Sequence, residues 1–206
     1  MILKKIPSIE EAEAYLLEAE ELNPGPWIPH SRYVGEAAKL IAEQHPSLDP
    51  DIAQILGYLH DIGRRFGVMN IRHTYEGHKF LEEQGHADAA RICITHSFPT
   101  KRVDEVSDGW DGPKEQMEFT QDYLDKVEFN DYDKLLQLCD ALAMPSGFVL
   151  LEKRLLDAAM RRGVNDYTLK RWQVTFEIQA EIEETIGASI YSVLDGVVEN
   201  TFGFTP

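Results

Sequence analysis

Apolar residues recur along this chain at intervals of three and four, with polar punctuation between the runs. SIEEAEAYLLEAEELNPG opens with the Ser8 to Glu11 spacing of a capping box, carries apolar positions at helical intervals, and stops at Asn23, Pro24 and Gly25. A second helix is predicted from near Pro29 to His45, before Pro46. LDPDIAQILGYLHDIG follows, with Asp49 as N-cap, Pro50 at the first helical position and Gly63 past the end. TYEGHKFLEEQG and ADAARICITHSF predict two more helices, and the polar, glycine-containing PTKRVDEVSDGWDGP reads as a long loop. KEQMEFTQDYLDKV, DYDKLLQLCDALAM, SGFVLLEKRLLDAAMRRG and a last pair within residues 166–199 continue the helical pattern. Strand signals are confined to short pieces such as SGFVLL, which fit a helix as well. The expectation is an all-α fold of roughly nine helices in a single domain spanning 1–206.

Some of the apolar stripes carry groups that do not belong in a plain core. His30 heads a stripe formed by Tyr33, Val34, Ala37 and Ala38, and His96 closes a helix whose Ala89, Ile92 and Cys93 share one face. Asp140 has Leu136, Ala143 and Met144 at helical spacing, which places a carboxylate on a stripe expected to be buried. A lone buried charge costs several kcal/mol, about the cost of losing a core side chain, so each such group needs a partner, a proton or a metal. GYLHDIGRRFG adds His60 and Asp61 side by side at the end of another apolar run. His73 is a further candidate, because Gly77 four residues later leaves room on that helical face. A metal centre accounts for all of these at once. Imidazole nitrogens with carboxylate oxygens suit Fe, Mn, Zn or Co, and the lack of a thiolate cluster argues against a structural zinc site.

Composition narrows the function classes. The chain has 206 residues, 20 Lys and Arg against 36 Asp and Glu, and a formal net charge of -16. That charge opposes binding of a nucleic-acid polymer, which depends on neutralising phosphates, but not of a small anion beside a metal. No apolar run approaches the roughly 20 residues of a membrane span, and the first residues turn acidic too soon for a secretory signal, so no membrane association is expected and the reading is cytoplasmic. Cys93 and Cys139 read as buried free thiols, and His45 and His86 as residues flanking helix ends.

The order His30, His60-Asp61 within HDIG, then Asp140 within LCDALA resembles the HD superfamily of metal-dependent phosphohydrolases. With His73 in HTYEG and His96 in ICITH, it is similar to the subgroup that holds two metals, and in particular to the bacterial HD enzymes that split diadenosine tetraphosphate. The resemblance covers roughly residues 28–145, and a C-terminal helical extension of about 146–206 carries no recognisable motif. It implies an HD-domain helical bundle with His30, His60, Asp61, His73, His96 and Asp140 as ligands of a divalent transition metal, two ions in the binuclear form. Asp61 would bridge the pair, and Arg64 would stabilise charge developing on a phosphate. The implied reaction is hydrolysis of a phosphoester or phosphoanhydride in a small nucleotide-like substrate by metal-activated hydroxide. Arg64, Arg65, His78, Lys101 and Arg102 are the residues expected to meet substrate phosphates. Two rival readings are an HD-fold diiron oxygenase acting on a small polyol or phosphonate, and a non-catalytic sensor domain that keeps the metal for stability. The C-terminal helices also offer apolar faces on which a homodimer would form.

Overall fold

The computed structural model describes residues 5–107 and 109–204. Ten α-helices occur among them: α1 (Ile9–Leu22), α2 (Trp27–Ala42), α3 (Pro50–Leu59), α4 (His73–Glu83), α5 (Ala87–Thr95), α6 (Lys114–Lys126), α7 (Asp131–Asp140), α8 (Leu151–Arg162), α9 (Thr168–Ile186) and α10 (Val197–Phe202). The fold is all-α, as the apolar periodicity predicts. The sole sheet among the described residues is a two-stranded antiparallel hairpin, β1 (Ala143–Met144) and β2 (Gly147–Phe148), with Ala143 opposite Phe148. None of the described helices is long and apolar enough to cross a membrane.

Helix starts follow local chemistry. Ser8 accepts from the Glu11 amide at 3.2 Å while the Glu11 carboxylate accepts from the Ser8 amide at 2.8 Å, completing the capping box. Asp49 caps α3 by accepting from the amides of Asp51 and Ile52 at 2.9 and 3.2 Å, with Pro50 supplying a preset φ at the first position. Two expectations need correcting. Helix α2 begins at Trp27 and ends at Ala42, because Pro29 is tolerated in the first turn, where an amide has no intrahelical partner anyway. Helix α7 ends at Asp140, so Ala143 and Met144 lie in β1 rather than on its stripe.

The main core is formed by α1, α2, α3, α5 and α7, with fully buried Leu16, Val34, Ile41, Leu56, Leu135 and Leu136 at its centre. Helices α2 and α3 meet backbone to backbone: a Cβ on Gly57 would lie 2.4 Å from the Gly35 Cα. That approach sets His30 and His60 side by side. A smaller cluster of Ile71, Ile94, Phe98, Val103 and Leu124 supports α6 and the described parts of the chain before it, 97–107 and 109–113. Two residues of that stretch anchor it: Asp111 accepts from the amides of Asn70 and Arg72, and Glu105 accepts from Lys170 at 2.7 Å and, through its carbonyl, from Asn165. Helix α8 is different in kind, since only Leu151 is buried on it and Leu156 and Met160 are exposed. It leans across the end of the bundle where the HDIG turn lies, and the Arg154 guanidinium donates to the Ala143 carbonyl at 3.1 Å. Both cysteines are buried and free, as expected.

Candidate metal centre

His60, His96 and Asp140 stand at the C-terminal ends of α3, α5 and α7. Each helix directs the negative end of its dipole to one point, which favours a cation there. The free carbonyls of those last turns also orient the rings. His60 Nδ1 donates to the Gly57 carbonyl at 2.7 Å and His96 Nδ1 to the Ile92 carbonyl at 2.9 Å. His73, the first residue of α4, donates from Nδ1 to the Asn70 carbonyl in the same way. An Nδ1–H held by a backbone oxygen leaves the Nε2 lone pair free, the tautomer that a metal-binding imidazole requires.

Four histidines gather about Asp61, and Asp140 joins them through His30 and His60. His73 Nε2 lies 2.8 Å from Asp61 Oδ1, His96 Nε2 3.8 Å from the same oxygen, and His60 Nε2 3.9 Å from Oδ2. His30 Nε2 is 2.9 Å from Asp140 Oδ1, which is itself 4.0 Å from His60 Nε2. Two groups therefore have donor atoms within 4.8 Å of one another, His30 with His60 and Asp61, and Asp61 with His73 and His96. Asp61 belongs to both.

Gly63 explains why His73 can come so close. A Cβ there would sit 2.0 Å from the His73 carbonyl oxygen and 2.4 Å from the Gly77 amide nitrogen, so the turn Ile62–Phe66 touches the start of α4 only because position 63 has no side chain. Gly77 in turn lies against Cys93 on α5.

Electrostatics keep the Asp61 and Asp140 carboxylates ionised and the His60, His73 and His96 imidazoles neutral. Burial pushes the Asp61 carboxyl up, but the Arg64 guanidinium, His73 and His60 outweigh it and hold it well below the usual range. Asp140 is likewise held low against burial, by His30, Arg154 and His60. Burial lowers His60 and, together with Arg64, His73; burial and the neighbouring His60 bring His96 down to about 4. The consequence at neutral pH is a set of lone pairs facing each other: neutral His73 Nε2 confronts ionised Asp61 Oδ1 with no proton of its own to place between them. His60 Nε2 is buried with no hydrogen-bond partner. Orphaned and opposed acceptors of this kind fit a cation, and these donors suit divalent metals.

The centre forms the floor of a cleft of about 580 Å³. Among the described residues, five arginines, Arg64, Arg154, Arg161, Arg162 and Arg171, line it against three aspartates, Asp61, Asp140 and Asp157, with Trp27 and Trp172 alongside. The excess of positive charge is local, because the chain as a whole carries -16.

The family model of the HD domain matches residues 27–144, more than half of the chain. The chain belongs to the HD-domain family. This HD domain accordingly places the protein among generally metal-dependent phosphohydrolases, with His and Asp clusters able to hold divalent metal. Neither the curated proteins nor the solved structures compared with the chain match it.

The structure brings His30, His60, Asp61, His73, His96 and Asp140 together and sets Arg64 beside them, but four expected phosphate contacts of this HD domain lie elsewhere. Arg65 pairs with Glu18 at 2.7 Å and stacks on Phe80, joining α1 to α4. His78 donates to the Ala90 carbonyl and packs against Phe119 and Tyr123. Lys101 donates to the Val127 carbonyl and lies over Phe129, while Arg102 pairs with Asp104. None of these four lines the cleft. Arg64 does, yet its Nε donates to Asp61 Oδ2 at 2.7 Å and its Nη1 to the Met69 carbonyl, so it first orients Asp61. The residues that the sequence reading missed are the arginines of α8 and α9. A signal was present, because Arg154, Ala158, Arg161 and Arg162 fall at i, i+4, i+7 and i+8, and Thr168, Arg171, Trp172 and Thr175 at i, i+3, i+4 and i+7, one face on each helix.

Proposed function

We propose that this HD domain hydrolyses a phosphoester or phosphoanhydride bond in a small phosphorylated, nucleotide-like substrate. The observation that carries the reading is the pair of His/Asp triads sharing Asp61 on the floor of a cleft whose walls hold five arginines in a strongly acidic protein. His30, His60 and Asp61 would hold one divalent ion and Asp61, His73 and His96 a second, with Asp140 beside the first. Such ions supply Lewis acidity, lowering the pKa of water and neutralising phosphate oxygens.

The chain's own groups then do the rest. Arg64 keeps Asp61 ionised and aimed through the 2.7 Å contact. Arg154, whose Nη2 is 3.6 Å from Asp140 Oδ1, stands where a phosphoryl group seated at the floor of the cleft would meet a guanidinium, and a planar fork suits its oxygens. Trp27, on the core side of the cleft, gives a base or sugar an apolar wall. Ser97, Pro99, Val106 and Ser107 wall the site on one side and α8 on another, which limits water around the scissile bond.

The test is metal analysis of the purified protein, followed by phosphate release from a panel of mono- and dinucleotides with and without chelator. Metal-dependent release that disappears in Asp61→Ala supports the reading. Release that survives complete chelation overturns it, and oxygen uptake without phosphate release would move the site to the diiron oxygenases.

A further inference from the structure

Of the four imidazoles in the centre, His96 differs in what its Nε2 meets. His60 Nε2 has no hydrogen-bond partner, His73 Nε2 lies against Asp61 Oδ1, and His30 Nε2 against Asp140 Oδ1. His96 Nε2 instead has the Ser97 hydroxyl 2.8 Å away. Because His96 Nδ1 already donates to the Ile92 carbonyl, Nε2 is the acceptor and the Ser97 O–H the donor. Ser97 follows the end of α5, is half-buried, and lines the cleft together with Asp61, His73 and His96. Its hydroxyl therefore stands at the boundary between a ligand's lone pair and the space a substrate enters.

An imidazole nitrogen offers a single lone pair, so the hydrogen bond from Ser97 and coordination of an ion by His96 exclude each other. A hydroxyl that gives up Nε2 needs another acceptor. Phosphoryl oxygens are acceptors, and the nearest guanidinium leaves room for a further donor to them: Arg64 spends Nε on Asp61 and Nη1 on the Met69 carbonyl, with Nη2 3.5 Å from His73 Nε2. Resting on the two-ion hydrolytic reading above, we propose that Ser97 is a substrate-binding residue gated by the second ion. Its hydroxyl caps His96 Nε2 until an ion takes that lone pair, and then donates to a phosphoryl oxygen. Ion and phosphate thereby favour each other, because each removes the hydrogen bond that the other would have to break. That bond is a neutral one, worth about fivefold in an equilibrium constant.

Metal-stripped protein is titrated with Mn²⁺ alone by calorimetry, and inorganic phosphate is then titrated into the Mn²⁺-loaded protein. The parent, Ser97→Ala and Ser97→Thr are compared, with the melting temperature as the check on folding. Ser97→Ala removes the competitor without touching a ligand, so one of the two Mn²⁺ affinities should rise about fivefold while the other stays unchanged. Phosphate binding to the loaded protein should weaken by about the same factor. Ser97→Thr keeps the hydroxyl and should restore both parent values. The opposite signs separate this role from a structural one, because a serine that merely supported His96 would lose ion and phosphate affinity together. Mn²⁺ affinities unchanged or weakened in Ser97→Ala, phosphate affinity unmoved, or a parent that binds a single ion each overturn the proposal. Opposite shifts in a protein that releases no phosphate from any nucleotide overturn the hydrolytic reading and leave the gating of Ser97 standing.

Discussion

Replacing Gly63 by alanine tests whether the close approach of the HDIG turn to α4 builds the second half of the metal centre. The added Cβ would be 2.0 Å from the His73 carbonyl oxygen and 2.4 Å from the Gly77 nitrogen, both backbone atoms that no rotamer change can move. Restoring even a tight contact of 3.0 Å requires α4 to retreat by about an ångström. His73 is the first residue of α4 and moves with it, so its 2.8 Å approach to Asp61 is lost. Overpacking a rigid site costs about 1–3 kcal/mol, and a clash between backbones belongs at the upper end. For a chain of this size about 3 kcal/mol corresponds to a fall in melting temperature of about 6–12 °C. Differential scanning calorimetry measures that fall, and elemental analysis should show metal content dropping from about two ions per chain towards one. Gly67→Ala is the control. Position 67 has a positive φ of 122° but open space around it, so alanine there strains the backbone without displacing His73. A Gly63→Ala protein that melts within about 2 °C of the parent and retains its full metal content would refute the packing argument.

Other outcomes follow from the same geometry. His73→Ala and His96→Ala should each lower metal content towards one ion and reduce kcat sharply while circular dichroism is unchanged; one ion in the parent and in both variants would make these histidines structural. Metal-free protein should lose stability in acid. His60, His73 and His96 have folded pKa values lowered from the ordinary 6.5, so the unfolded chain binds more protons below that value, and the stability they confer is present above about pH 6.5 and lost as pH falls towards 4. Each such group contributes up to about 1.4 kcal/mol per pH unit, and a melting temperature at about pH 5 equal to that at about pH 7.5 would contradict it. Asp133→Ala should cost about 3 kcal/mol or more, because this fully buried carboxylate accepts from Arg91, from Thr95 Oγ1 at 2.6 Å and from the Asn130 amide at 2.7 Å, and its loss strands Arg91. Denaturant unfolding measures that, and a value below about 1 kcal/mol would show that the pair is solvated.

The sequence by itself determined where most helices begin and which histidines and aspartates face inward. Both depend on interactions within a few residues: Ser8 with Glu11, Asp49 with the amides after Pro50, and a polar group riding an apolar stripe, as His30 does ahead of Val34 and Ala37. Those signals survive in a linear reading because their partners are one helical turn away. The HD motif was legible for the same reason, as its members sit at helix ends marked by punctuation. Only the tertiary structure decided which cations meet the cleft. Arg64 and Arg65 are adjacent in the chain, yet one orients Asp61 and the other stacks on Phe80 beneath α1, because consecutive residues of a tight turn point in different directions. Lys101 and Arg102 follow the His96 helix closely but turn towards Val127 and Asp104, while Arg154, Arg161, Arg162 and Arg171, remote in sequence from every ligand, are brought over the site by α8 and α9. A long charged side chain has no local rule to say what it will face. Its surroundings are set by how the helices cross, and at α2 and α3 that crossing rests on Gly35 and Gly57, two residues with no side chain at all.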